Sequence, residues 1–385
     1  MQILKNKTNF DFIGKRKPAV FLSTAVNLLI LVGIAVFGFN FGVDFAGGTV
    51  VEVQFNHAVT AADVRERVES GQLHDVSVQS IGSAAENSFL VRLGGVTQLT
   101  EEGATKASQA IQALGQVDPK AIRTDLANGI INVRSKRPLD AKQLEKSVED
   151  TGTGVEEVRD IGQSQSGDYD YQVVASGMAD RIRSALLKGQ ETPDFEMRRV
   201  EYVGPQVGKQ LRNRGVQALL FSMVAILIYV AFRFDFKFGP GALLAMIHDV
   251  IMVAGFYLIS RAEFGLTAIA ALLTIVGYSV NDTIVIYDRI REDMAKYKGK
   301  PLAEVINIAV NDTLARTILT SGTTALSLVG LLIFGVGEIR DFAWAMLVGI
   351  LVGTYSSVYI ASPVTLWLDE REQAREKKPG VNQPT

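Results

Sequence analysis

The chain contains no cysteine. Disulfides, thiolate nucleophiles and cysteine-based metal centres are therefore excluded. Histidine is nearly as scarce, and the spacing of His57, His74 and His248 fits no zinc-binding pattern. Charge of either sign is missing from four long stretches, 18–43, 215–232, 317–337 and 342–368. Over the whole chain neither sign dominates, with 39 Lys and Arg against 41 Asp and Glu. A nucleic-acid binder shows a basic surplus, so that class is set aside. Hydrolytic signatures are missing as well. The string from Gly204 to Gln210 is one residue short of a phosphate-binding loop and ends in Gln, and no G-x-S-x-G or H-E-x-x-H occurs. No constellation for an enzyme or for a cofactor remains, so any work done by this protein draws on an outside source of energy.

What the chain does have is apolar length. Uncharged runs of about 18 residues or more read as membrane-spanning helices. Six spans are expected, at 18–41, 215–233, 239–260, 265–287, 315–336 and 342–367. Lys15, Arg16 and Lys17 precede the first, as in a signal peptide, but its apolar run is too long and no A-x-A-like site follows. It is read as a retained signal-anchor helix. Basic residues cluster before span one, between spans two and three (Arg233, Lys237), after span four (Arg289, Arg291, Lys296, Lys298, Lys300) and in the tail (Arg371, Arg375, Lys377, Lys378). With six spans these four segments share one side, and by the positive-inside rule that side is cytoplasmic. The expected organisation is a cytoplasmic N-terminus (1–17), one span, a periplasmic domain at 42–214, five further spans and a cytoplasmic tail at 368–385.

Residues 42–214 carry short strand and helix patterns that repeat at a spacing of about 80 residues. In the first copy Val51, Val53 and Phe55 alternate on a strand, Thr60 caps a helix with Asp63 three residues on, and Val59 and Val64 form a hydrophobic staple extended by Val68. Strands near 75–82 and 88–93, a helix near 100–114 and a strand near 120–125 follow. In the second copy Ile131 and Val133 alternate, Asp140 caps with Gln143 three residues on, and Leu139 and Leu144 staple. Strands near 155–161 and 169–175, a helix near 178–188 and a strand near 197–203 complete it. Each copy reads as βαββαβ, a ferredoxin-like order. The expected fold is thus a six-helix membrane protein with a duplicated α+β ferredoxin-like domain, in units at about 48–125 and 129–204.

Ionisable residues within the spans are the candidates for function, because a charge at the bilayer centre costs about 2.5–3.5 kcal/mol on insertion scales. They are His248, Asp249, Asp282 and Arg316. Asp282 and Arg316 are expected at similar depth on antiparallel spans. An arginine favours the ionised carboxylate while burial disfavours it, which is the electrostatic basis of a proton-responsive switch. Thr274, Tyr278, Asn281 and Asp282 fall close to one face of span four, and Arg316, Thr320, Thr323 and Thr324 repeat that pattern on span five. The alternative is fixed helix-to-helix glue. His248 and Asp249 are adjacent, about 100° apart around a helix, and are not expected to bond each other. One of them faces the polar seam, or both anchor packing. Asp288, Arg289 and Arg291 read as an interfacial anchor.

Several strings, in order, carry a family resemblance: Val43-Asp-Phe-Ala-Gly-Gly-Thr49, Glu201-Tyr-Val-Gly-Pro205, Gly277-Tyr-Ser-Val-Asn-Asp-Thr283, Asp288-Arg-Ile-Arg-Glu292, Leu314-Ala-Arg-Thr-Ile-Leu-Thr-Ser321 and Gly353-Thr-Tyr-Ser-Ser357. On these the chain resembles the SecF family of protein-translocase subunits, part of the resistance-nodulation-division superfamily. The resemblance implies a half-transporter in the bacterial inner membrane. A SecD-like half supplies six more spans, and the pair assists the SecYEG translocon, with YajC and YidC as further partners and an unfolded preprotein as substrate. It implies that the proton motive force drives late steps of export, with Asp282 as the essential intramembrane carboxylate and Arg316 as the nearby functional arginine. The chain departs from the family pattern, as read here, in carrying two βαββαβ units where one is common. The alternative reading from the fold alone is half of a small-molecule or lipid exporter, and a third is a structural scaffold of the translocase.

Overall fold

The computed structural model describes residues 8–376, apart from 72, 74–75, 82–86, 95–98, 100, 116, 118–120, 127–128, 165–166 and 189–191. The chain divides into two compact units, one of Met1–Phe41 with Asn213–Thr385 and the other of Gly42–Arg212. Helix α1 (Arg16–Phe37) belongs to the first.

The Gly42–Arg212 unit opens with one helical turn, α2 (Val43–Ala46). Gly47 ends it at φ 76°, and Gly48 starts β1 (Gly48–Phe55) at φ 147°. Both angles lie where a side chain is strained, and a Cβ on Gly48 would also strike the Leu93 carbonyl. That is the physical content of the paired glycines at 47–48. Helix α3 (Ala61–Ser70) starts with the expected capping box. The Thr60 side chain accepts from Asp63 N–H, and the Asp63 carboxylate accepts from Thr60 N–H at 2.9 Å. Then come β2 (Ser77–Ile81), β3 (Ser88–Leu93), α4 (Glu101–Ala113), β4 (Ile122–Asp125), β5 (Ile130–Ser135), α5 (Ala141–Glu149), β6 (Val155–Gln163), β7 (Tyr169–Ala175), α6 (Met178–Leu187) and β8 (Phe195–Val203). At α5 the cap differs from expectation, because Asp140 accepts from Lys142 N–H at 3.0 Å rather than from residue 143.

Among the described residues two antiparallel four-stranded sheets result, ordered β2-β3-β1-β8 and β4-β5-β7-β6. The sequential elements are those expected, but the units are not 48–125 and 129–204. Helix α6 and strand β8 complete the first sheet, where Ile182 and Leu186 pack with Val51, Val53, Val64 and Val68. Helix α4 and strand β4 complete the second, where Ala107 and Ile111 pack with Ile131, Val133, Leu144 and Val148. The two copies have thus exchanged their last αβ pair. The cause is local: β4 and β5 adjoin in sequence and pair as a hairpin, Ile122 opposite Val133 and Asp125 opposite Ile130. Closing that short connection costs less entropy than returning β4 to β1. The first sheet therefore closes around the second as an insertion.

Helices α7 (Pro205–Arg233), α8 (Gly239–Ser260), α9 (Leu266–Lys296), α10 (Leu302–Phe334), α11 (Glu338–Ser356) and α12 (Ser362–Glu376) complete the chain, with a single π turn at Ser357–Ala361 joining the last two. With α1 they make, among the described residues, six segments long and apolar enough to cross a membrane. Helix α9 runs on to Lys296, and α10 begins at Leu302 rather than 315, because the helices continue past their apolar runs on ion pairs such as Arg289–Glu292 (2.9 Å) and Lys300–Glu304 (3.4 Å). Helices α8, α9 and α11 form the interior. Gly349 and Gly353, one turn apart, let α11 lie against α9: a Cβ on Gly349 would strike Ile275, and one on Gly353 would stand 2.9 Å from the Ser279 Cβ. By contrast α1 presents Phe21, Leu22, Leu29 and Phe37 outward. Ahead of α1, Asn307 and Asn311 of α10 accept from the Phe12 and Phe10 N–H groups, each at 2.9 Å, and bind the N-terminal segment.

Candidate functional site

Two buried carboxylates of this helical unit fall within the apolar runs expected as spans three and four. Asp249 of α8 is fully buried, and Asp282 of α9 is 3% exposed. They sit in different surroundings. Asp249 Oδ1 is 2.9 Å from His248 Nδ1, while Oδ2 accepts from Ser356 Oγ at 2.8 Å and from Ser279 Oγ. Asp282 Oδ2 accepts from Thr354 Oγ1 at 3.4 Å, a long contact. Thr354 is itself 2.9 Å from Ser321 Oγ of α10. Thr283 and Ser357 hydroxyls meet at 2.8 Å beside them. Helix α11 therefore touches both carboxylates with residues two positions apart, and it can do so because Gly353 brings it against α9.

The adjacent pair His248 and Asp249 does bond, contrary to expectation. Their Cβ directions diverge, but imidazole and carboxylate both extend far enough sideways along the helix to meet, and the serines of α9 and α11 fix the carboxylate from the far side. The pair Asp282 and Arg316 is not joined: Arg316 is exposed on α10, and among the described residues no ion pair links them. The expected seam on α9 divides. Thr274 and Asn281 point outward and Tyr278 is partly covered, its OH donating to Thr324 at 3.3 Å, whereas Asp282 turns inward. On α10 the hydroxyls of Thr320, Thr323 and Thr324 donate to carbonyls four residues back in their own helix, at 3.1, 2.9 and 2.9 Å. The sequence reading does not single out Ser279, Ser321, Thr354, Ser356 and Ser357 as site residues. The signal was present in Gly349-x-x-x-Gly353 and in the run of hydroxyls that follows it.

The anchor residues tie helices together. Arg289 pairs with Asp312 of α10 and with Glu292, and Asp288 stands 3.7 Å from Arg233 of α7. Among the described residues no group of three or more His, Cys, Asp or Glu side chains is placed to hold a metal ion. The arrangement brings hydroxyls and carboxylates together inside an apolar bundle.

Comparison with known proteins is decisive at this point. Residues 183–371 match the profile for protein export membrane protein SecD/SecF, C-terminal, and residues 32–59 match the SecD/SecF GG motif. Protein translocase subunit SecF of Magnetococcus marinus is 40% identical over 369 residues, covering 96% of this chain and 95% of that one. This chain belongs to the SecF family of protein translocase subunits. SecF of Rickettsia felis is 34% identical over 372 residues, covering 97% and 96%. The crystal structure of SecDF from Thermus thermophilus, described as a translocon-associated membrane protein, superposes with TM-score 0.61 at 29% identity, and covers 96% of this chain. This chain spans 40% of that one; a second SecDF structure, in a super-membrane-facing form, gives 0.59. As a SecF-family chain the protein is a multi-pass membrane component of a transport machine and not a catalytic enzyme. Membership also decides against the small-molecule exporter reading. With such coverage the two-sheet domain falls within the aligned region, so a domain of this length is shared with these relatives.

Proposed function

We propose that this chain is one half of a proton-driven export motor, in which Asp282 takes up and releases the proton. The observation that supports it is the contrast between the buried carboxylates of spans three and four, Asp249 and Asp282. Asp249 has three donors, which hold it in one place, while Asp282 has among the described residues a single long one. A carboxyl with so few constraints can change protonation without dismantling a network. Arg316 presents its charge outward from a membrane span, at a cost unless another molecule covers it. A second six-helix half, SecD-like, fits that need. The pair would act on a preprotein emerging from SecYEG, with residues 42–214 periplasmic, both termini cytoplasmic, and YajC and YidC as accessory partners.

The test is export of a secreted protein in membrane vesicles carrying the chain and its SecD partner. Asp282→Asn keeps the shape and removes the titration, so proton-driven export should be lost at unchanged protein level. Asp282→Glu should keep part of it. Full export by the Asn variant would reduce Asp282 to a packing residue.

A further inference from the structure

His248 is 4% exposed, and its Nδ1 is engaged with Asp249, but among the described residues its Nε2 is buried with no hydrogen-bond partner. A second such atom lies on the neighbouring helix: Asn27 Oδ1 of α1 is likewise buried and unpartnered. Contacts place the two on facing surfaces. A Cβ on Gly33 or Gly255 would strike Leu258 or Ile30, so α1 and α8 run parallel and in close contact. Ser23, Asn27 and Ile30 share one face of α1 at helical spacing, and Ile30 packs at Gly255, two turns beyond His248. Ser23 Oγ is 2.9 Å from Tyr355 OH, and the Tyr355 ring stacks on His248 with centroids 6.1 Å apart. The unmet ring nitrogen can be a donor, and the unmet amide oxygen is an acceptor.

We infer that His248 and Asp249 form a second proton-holding site, opening toward Asn27 on the α1 side of the bundle and separate from Asp282. Without the extra proton the pair is a neutral imidazole beside a carboxylate, with net charge −1. Binding a proton at Nε2 makes an imidazolium–carboxylate pair of net charge zero, in which the Asp249 carboxylate offsets the charge gained by the ring. The Nε2–H bond forms as the O–H bond of the proton donor, hydronium or a neighbouring acid, breaks, leaving water or the conjugate base. Asp249 then accepts from Nδ1–H, Ser279 and Ser356, and the unmet Asn27 Oδ1 on the facing helix is the acceptor proposed for Nε2–H. The groups facing the dyad are Ser279 from α9 (with Asp282 one turn on), Tyr355 and Ser356 from α11, and Ser23 and Asn27 from α1. Toward the ends of α8 the charged neighbours are Lys237 and Asp369, paired at 3.1 Å, and Arg261, whose Nη1 donates to the Gly38 carbonyl at 2.8 Å. This inference extends the proton-driven reading of Asp282 to a second site, and it can fail independently of that reading.

The scarcity of histidine makes a direct test possible. With His57→Asn and His74→Asn, the full chain holds His248 as its one imidazole, and nitrogen-15 NMR in lipid nanodiscs reports its state. The expected result is an imidazolium spectrum with Nδ1–H hydrogen bonded, replaced by a neutral ring in Asp249→Asn. Asn27→Leu should alter the Nε2 signal and leave Nδ1 unchanged. Asp282→Asn should leave the imidazolium in place, so loss of export in that variant beside an intact His248 spectrum separates the two sites. A His248 ring that is neutral at all pH values, and that Asp249→Asn leaves unchanged, would overturn the inference and leave a structural hydrogen bond. If Asp249→Asn misfolds, His248→Gln supplies the second reading. A pH–export profile identical to that of the unaltered chain would also overturn the inference.

Discussion

Thr354 and Asp282 stand 3.4 Å apart across the α9–α11 contact, with Ser321 behind the threonine at 2.9 Å. The hydroxyl is thus a link in a short chain from α10 through α11 to the buried carboxylate. A hydroxyl can donate to a carboxylate and accept from a protonated one by rotating, so Thr354 can serve both states of Asp282.

Replacing Thr354 by Val keeps the shape and removes the hydroxyl. Loss of one such hydrogen bond costs about 0.5–1.5 kcal/mol. Export should fall by roughly 2- to 12-fold at that magnitude, while the chain still assembles. Thr354→Ser should retain most activity. Equal export by the Val and unaltered proteins would show that Asp282 works without this contact. Arg316→Lys, which keeps the charge but not the planar fork, should lose less export than Arg316→Met.

The close approach at Gly353 predicts a packing effect. A methyl there meets the Ser279 Cβ at 2.9 Å, so α11 must move away from α9. Overpacking of this kind costs about 1–3 kcal/mol. Gly353→Ala should lower the melting temperature of the purified chain and loosen both carboxylate contacts. Gly322 of α10 is the control, since nothing lies within 4 Å of its Cβ position and alanine there favours the helix. An unchanged melting temperature for Gly353→Ala would mean that the helices are less closely apposed than described.

The capping box gives a pH dependence outside the membrane. The Thr60 backbone N–H and then its hydroxyl hold the Asp63 carboxyl below the ordinary range. Asp170 is held down in the same direction by Arg134, whose Nε and Nη2 bond it at 2.6 and 3.0 Å. A lowered folded-state value means that this stabilisation is fully present above the unfolded value of about 4 and is lost as pH falls through the folded one. Amide exchange at the start of α3, referred to intrinsic rates, should be pH-independent from neutrality to about pH 5 and should quicken below it. Thr60→Ala should remove most of that dependence. An identical acid response in both chains would assign the loss to other groups.

The elements of the fold were legible because each obeys a local rule. Val51, Val53 and Phe55 alternate into the core, and Thr60 and Asp63 cap as their spacing requires. Strand partners are not local, so sequence order groups β4 with β1 in one unit although it pairs with β5. The site was half legible for the same reason. Asp249 and Asp282 stand out as charges within apolar runs, but what holds them comes from α11, and no periodicity on α8 or α9 announces Ser356 or Thr354. Hydropathy gives Arg316 and Asp282 a similar depth but not the rotation of α10 about its own axis, which leaves the Arg316 side chain exposed.

The exchanged αβ pairs can be tested by cross-linking, since the absence of cysteine gives a clean background. Gln54 of β1 lies opposite Glu196 of β8, while Arg123 lies in β4 opposite Asn132. Directly opposed residues have Cβ atoms about 4.5–5.5 Å apart, within reach of a short thiol cross-linker. The double variant Gln54→Cys with Glu196→Cys should therefore close readily in membranes. Gln54→Cys with Arg123→Cys should not, because those strands belong to different sheets. A tandem arrangement of two unexchanged units reverses the expectation, since β4 would then flank β1 and β8 would flank β5. Cross-linking of 54 to 123, with none between 54 and 196, would show that each βαββαβ copy closes on itself and that the insertion described here does not form.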